Sequence, residues 1–418
     1  MAAFAEAAFL TLRRERYAQV IQSARWRPWL VHGALSLILF LITAATYSSL
    51  GVMLPAMVRD LHWTWGEAGL GFTLMGAATG ASSWFPAAMI RRFGLRTTLL
   101  AGSGVMVLGL LGFAYAESLP VYLLGAALCG AGFQMMALIP GTHAIGQLFT
   151  RKAMAFGVYF TLGALGGVAG PLMAQHWAGS DGANWRDYWV LQAVLAAVVG
   201  IAAVLLIGRV EAPAPVERPA VDTTPAKDFS VAQALRTPQF YVLLTAYFSH
   251  LLAGSVAAGL SVAHLTERGV TPAAAGLALS LEGGLAMIAR LAAGALAERI
   301  DPRRLLVLGQ VLLAAGSMAL GYGHGEAAIL VYAAGIGLGF GLTVLAVTVL
   351  LLEFYGPRHN LEIFALTCLI GAVSAIGPVL VGVLRDATGG FGLGLYGMGA
   401  MIAMIALASA FMRRPRPH

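Results

Sequence analysis

The chain has 418 residues, of which 59% are hydrophobic and only 11% charged, against roughly a quarter charged in an ordinary soluble domain. Its formal charge of +7 comes from 26 Lys and Arg against 19 Asp and Glu. These figures exclude a water-soluble enzyme domain and point to a chain that crosses a bilayer many times. The positive balance serves topology and anionic headgroups and gives no case for nucleic acid binding.

Residues 1–28 interleave Phe9, Leu10 and Val20 with Arg13, Arg14 and Arg16, the pattern of a cytoplasmic helix lying on the inner leaflet. The basic start and small-residue cleavage pattern of a signal peptide are missing from this segment. Apolar runs of the length that crosses roughly 30 Å of hydrocarbon follow at 29–58, 68–90, 97–116, 120–149, 153–177 and 188–208. The segment 209–237 carries Pro213, Pro215, Pro219 and Pro225 among mixed charges and reads as a cytoplasmic linker. Six more runs lie at 240–264, 273–297, 305–322, 327–352, 363–384 and 391–412, ahead of a basic tail at 413–418. The expected fold is an all-α membrane protein of twelve transmembrane helices in two six-helix halves, 29–208 and 238–412.

Placing the N-terminus in the cytoplasm puts 21 of the 26 Lys and Arg on that side. Four lie outside, namely Arg59, Arg186, Arg268 and Arg385, and Arg290 lies within a span. Both termini are therefore expected to be cytoplasmic, in a multi-pass protein of a bacterial-type inner (plasma) membrane that works as a monomer. Cys129 and Cys368 fall in apolar spans and are assigned no redox role.

A repeat runs through the chain at one displacement. Gly130, Ala131, Gly132 and Phe133 return 207 residues later as Gly337, Leu338, Gly339 and Phe340, and Gly170-Pro171 returns as Gly377-Pro378. The loop 91–96 is matched in the same way by 298–303. The chain thus reads as one six-helix unit used twice. Glycines around Pro171 and Pro378 suit helices five and eleven to close packing and sliding.

Arg290 is the one Lys or Arg well inside a membrane-length run. A fixed charge there costs at least about 2.5 kcal/mol, so such a residue usually faces a cavity or a partner. An anion is the natural partner, because a planar guanidinium both neutralises and orients a carboxylate. Two bland alternatives stand beside this: a stem that snorkels to the inner headgroups, and pairing with an internal carboxylate or carbonyl. Glu282, two turns earlier and about 12 Å along the axis, is too far for direct contact with Arg290. It is a candidate proton-coupling site, since burial disfavours a charged carboxylate and substrate arrival beside Arg290 would change that balance. Its alternative is a carboxylate that reaches water at the outer helix end. Tyr47, Gln134, Phe133 and Phe340 are candidate cavity-lining residues, with ordinary helix packing as the alternative for each. His250 titrates near neutrality in water but alone in a span reads as a packing residue.

Twelve helices in two parallel halves, each with a basic loop after its second helix, resemble the major facilitator superfamily across nearly the whole chain. The second loop keeps Gly294, Glu298, Arg299, Arg303 and Arg304, with Asp301 where the family has Gly. The first keeps Arg92, Gly94 and Arg96, with Ala87 and Arg91 at the Gly and acid positions. Residues 274–304 are similar to the monocarboxylate transporter and oxalate/formate antiporter branch. The likeness lies in Gly276, Gly284, Arg290, Gly294, Glu298 and Arg299, and in Thr237, Pro238, Gln239 and Phe240 at the start of helix seven. That resemblance implies an anion-pairing role for Arg290. The chain departs from it at Ala286, where monocarboxylate carriers commonly have Asp, in lacking a membrane Lys in helix one, and in having no Lys or Arg in 363–384, where oxalate carriers hold a second cation.

One fixed positive charge suits one carboxylate. With no phosphate-cradling glycine loop and no metal-spaced His/Cys cluster, no enzyme activity, cofactor or metal is expected. The reading is a secondary active transporter of a small organic monocarboxylate, coupled to protons, working by alternating access. The alternatives are a proton-driven exporter of drug-like amphipathic compounds, which the glycine run at 166–171 resembles, and a substrate-sensing receptor on a transporter scaffold.

Overall fold

A computed structural model describes residues 28–149, 152–178, 183–207, 229–296, 300–356 and 359–415. The amphipathic segment 1–27, the linker residues 208–228, Glu298, Arg299, Arg358 and the tail 416–418 lie outside the described residues. Apolar helices dominate, and there is no β-strand among the described residues. In chain order they are α1 Pro28–Leu61, α2 Trp65–Ala81, α3 Trp84–Ala114, α4 Leu119–Ile145, α5 Lys152–Ala178 and α6 Trp185–Ile207. After a single helical turn at Val231–Ala234 come α7 Pro238–Glu267, α8 Pro272–Leu296, α9 Pro302–Tyr322, α10 Gly325–Tyr355, α11 Glu362–Thr388 and α12 Gly392–Phe411.

Eleven of the helices among the described residues are long and apolar enough to cross a membrane. The exception is the second, expected over 68–90. It stops at Ala81, where Ser82 and Ser83 form a turn. Pro86 supplies the reason: it has no N–H to give the Ser82 carbonyl, and its ring crowds that group. Phe85 N–H takes the carbonyl at 3.1 Å instead. At the expected loop 91–96 the chain kinks at Gly94, the single non-helical residue of α3, where two helical stretches, 84–93 and 95–114, meet. With φ 83° and ψ 167°, Gly94 holds a backbone shape that a side chain resists.

The repeat is visible in the packing. A methyl group built on Gly130 of α4 would meet the Met75 carbonyl of α2, and one built on Gly337 of α10 would meet the Glu282 carbonyl of α8; both pairs are related by 207 residues. Gly109 against Cys129 likewise returns as Gly316 against Ile336, and Gly102 against Met135 as Gly309 against Leu342. At each crossing backbones touch, which in lipid supplies the packing that hydrophobicity alone does not.

The halves meet through α1 with α7, α2 with α11 and α5 with α8. Their close approaches lie away from the end at which α1 begins: Gly51 against Ala258, Gly69 against Pro378, Gly276 against Gln175 and Gly283 against Gly167. At that far end the Asp386 carboxylate of α11 accepts the Trp65 N–H at 3.2 Å and the Gly66 N–H at 2.8 Å. It thereby caps the N-terminus of a helix in the other half, where a negative charge is favoured.

Two helices carry a wide π turn, Ala44–Ser48 in α1 and Gln134–Leu138 in α4. Pro140 withdraws a donor below the second, and the Tyr159 hydroxyl donates to the Ala137 carbonyl there at 2.8 Å. At the first, the Ser49 hydroxyl donates to the Ala44 carbonyl at 2.6 Å. Such turns re-aim side chains and recur at functional sites.

Candidate substrate site

The π turns bring Tyr47 and Gln134 to one residue of α2, Thr79. The Tyr47 hydroxyl is 3.1 Å from the Thr79 hydroxyl, and the Gln134 amide nitrogen donates to the Thr79 carbonyl at 3.0 Å. Phe133 stands edge-on to Tyr47 with ring centroids 6.3 Å apart. The structure therefore unites three of the expected residues in the first half around a fourth that sequence reasoning missed. Thr79 gave no signal because a hydroxyl within a helix usually bonds its own preceding turn, as Thr79 also does to the Met75 carbonyl at 2.8 Å.

In the second half, Arg290 of α8 places its guanidinium over the ring of Phe340 of α10, 5.1 Å from the centroid. A methyl built on Gly341 would stand 3.0 Å from the Arg290 backbone nitrogen, so Phe340 is level with Arg290. The side chain is exposed, and among the described residues no carboxylate pairs with it. The other face of Phe340's surroundings is His250 of α7, 4.8 Å away, itself 4.6 Å from Tyr247. His250 is buried and its Nδ1 has no partner. It packs as expected, but against the cationic site, an association that only the fold reveals.

Glu282 does not join this cluster. It is 8% exposed and its carboxylate accepts the Tyr332 hydroxyl of α10 at 2.8 Å. The expected alternative, a carboxylate reaching water at the helix end, is corrected by this burial: the α8–α10 crossing at Gly337 closes over it. Burying a carboxyl group with one neutral donor and no cation is costly, which sets Glu282 apart from a packing residue. Among the described residues no group of three His, Cys, Asp or Glu is placed to hold a metal, and Cys129 and Cys368 are both free.

Comparison with known proteins adds the following. No curated protein sequence matches the chain. Among solved structures, a bacterial homolog of the human lysosomal transporter Spinster, in an inward-facing and unoccupied conformation, superposes with a TM-score of 0.74 at 17% identity, over 92% of this chain and 96% of that one. A POT family transporter in complex with 5-aminolevulinic acid gives 0.71 at 14% identity, over 90% and 94%. A POT family transporter bound to a thioalcohol-conjugated peptide gives 0.72 at 14% identity, with the same coverage. At such identities these likenesses speak for the fold alone. The family model of the Major Facilitator Superfamily matches residues 36–359 and again 243–418, and with the duplicated six-helix packing this establishes that the chain belongs to that superfamily of membrane transporters.

Proposed function

We propose that this transporter carries a small organic monocarboxylate together with a proton, as a member of the monocarboxylate and oxalate/formate branch. The observation that carries the reading is Arg290: an accessible guanidinium on a membrane helix, backed by Phe340 and with no carboxylate partner among the described residues. The ring behind it leaves the edge N–H groups for a ligand, and two of them match the two oxygens of one carboxylate. A structurally similar transporter is named for its complex with a carboxylic acid, 5-aminolevulinic acid, which is consistent with such a site on this scaffold. With cytoplasmic termini, the end closed by Asp386 is the outer one. Glu282 and Tyr332, buried between α8 and α10, form the proton site in this reading.

The test is calorimetry on purified, monodisperse protein against a panel of acids. Arg290→Lys keeps the charge and loses the planar fork, so binding falls severely. Arg290→Ala removes both, with a loss of about 2 to 5 kcal/mol, or roughly 30-fold to several thousand-fold. Unchanged affinity in the Ala variant removes the carboxylate from the reading.

A further inference from the structure

We infer that the transported acid carries a hydrogen-bond donor at the end remote from its carboxylate. The inference rests on Arg290 as the carboxylate site and concerns the polar residues of the other half. Thr79 has one hydroxyl proton, and two carbonyls stand within reach of it, Met75 at 2.8 Å and Gly130 at 3.2 Å. The Tyr47 hydroxyl, 3.1 Å from the Thr79 hydroxyl oxygen, must therefore be the donor of that pair. Its proton is spent, and what it offers a ligand is oxygen lone pairs. Gln134 is constrained in the same way. A carbonyl only accepts, so the amide must turn its nitrogen to Thr79 at 3.0 Å, which fixes the side-chain orientation. The Gln134 Oε1 is then left buried and without a donor.

Both side chains thus present acceptors alone, whereas Arg290 presents donors alone. The Tyr47 hydroxyl also lies close to the second half. A methyl built on Gly76 would stand 4.0 Å from the Tyr47 hydroxyl and 2.7 Å from the side chain of Ala375 of α11, and Thr73 donates to the Ala375 carbonyl across the same seam at 2.7 Å. A ligand held between the halves meets donors on one wall and neutral acceptors on the other. An unsubstituted acid satisfies the first wall and leaves Gln134 Oε1 unpaired. An ω-hydroxy or ω-amino acid satisfies both.

The test compares short straight-chain acids in three sets, unsubstituted, ω-hydroxy and ω-amino, by calorimetry on the purified full chain. At the best chain length one substituted set should bind at least about tenfold more tightly than its unsubstituted counterpart, and the stronger set identifies the donor. Gln134→Leu and Tyr47→Phe should each erase most of that preference, read as the ratio of affinities for the substituted and unsubstituted acid in the same variant. Equal binding of all three sets, with Arg290→Ala still abolishing it, overturns this inference and leaves the carboxylate reading standing. Absence of binding by any acid, or binding that survives Arg290→Ala, overturns both.

Discussion

The two halves share a scaffold and divide the chemistry. Positions 207 residues apart cross in the same way, yet Met75 and Thr79 of α2 and Ser83 of the turn after it correspond to Glu282, Ala286 and Arg290 of α8. The aromatic pair Phe133 and Phe340 is retained, but each ring has a different companion: Tyr47 in the first half, Arg290 in the second. The counterpart of Tyr47 is Gly254, where an added methyl would stand 2.6 Å from the Phe340 ring. The counterpart of Gln134 is Gly341, where one would meet the Ala286 carbonyl. The second half has removed side chains around its aromatic residue and placed charge in the room so made. A duplicated bundle in lipid tolerates this because backbone crossings, and not particular polar residues, hold it together.

Copying the first half into the second should break that division. Glu282→Met, which restores the residue type of position 75, should abolish accumulation driven by a pH gradient while substrate exchange continues. Glu282→Gln, which keeps a partner for the Tyr332 hydroxyl, should do the same with less loss of stability, since a buried hydroxyl left unpaired costs about 1 to 3 kcal/mol. Uptake into proteoliposomes, with and without an imposed pH gradient, separates the two activities. Full pH-driven accumulation in both variants removes Glu282 from proton coupling.

A smaller change tests the room beside Arg290. Gly254→Ala pushes a methyl into Phe340 and should swing the ring from beneath the guanidinium. A cation–π contact contributes about 0.5 to 2 kcal/mol, so carboxylate affinity should fall about 2- to 30-fold. Calorimetry measures it, and Tyr47→Gly serves as the converse substitution in the first half. Unaltered affinity in Gly254→Ala shows that Phe340 fills space without supporting the site.

These residues differ in how far the sequence alone exposes them. Arg290 stands out because an isolated charge in an apolar run has few structural explanations. The number and order of spans follow from apolar length, and the repeat from glycines that packing requires. Pro86 was the available sign that the second helix breaks, and it was overrun by the apolar residues around it. The π turns are different, since hydroxyls donate to their carbonyls, Ser49 to Ala44 and Tyr159 to Ala137, 22 residues before it. The bond from Tyr332 to Glu282 spans 50 residues, and the Thr79 cluster joins three helices. No local pattern encodes such partners. Asp386 carries no local signal either, because its role lies in the peptide N–H groups of the other half.

The adjacent residues Arg385 and Asp386 give the finest comparison, because the ion pair of Arg385 lies within its half whereas the hydrogen bonds of Asp386 run across. Arg385 pairs with Glu267 of α7 at 2.7 Å, and both side chains are about a third exposed; α7 and α11 belong to the same half. Asp386 holds two peptide N–H groups of α2, which must be released whenever the halves part at that end. Its side chain is 28% exposed, so solvent reduces the value of these charged hydrogen bonds to about 1 kcal/mol or slightly more. Asp386→Asn turns one acceptor into a donor facing a donor and should shift the ratio of closed to open far end about five- to tenfold toward open. Arg385→Gln loses a surface ion pair within its half of at most about 1 kcal/mol, together with a 3.8 Å approach to Asp386 and a 5.8 Å contact with the Trp65 ring across the halves, and should shift the ratio less than Asp386→Asn. Spin labels at Glu117 and Glu326, exposed in the two halves, report the opening by pulsed EPR distances. Equal shifts from the two substitutions mean that the far end responds to local charge and that the cap on α2 does not hold it closed.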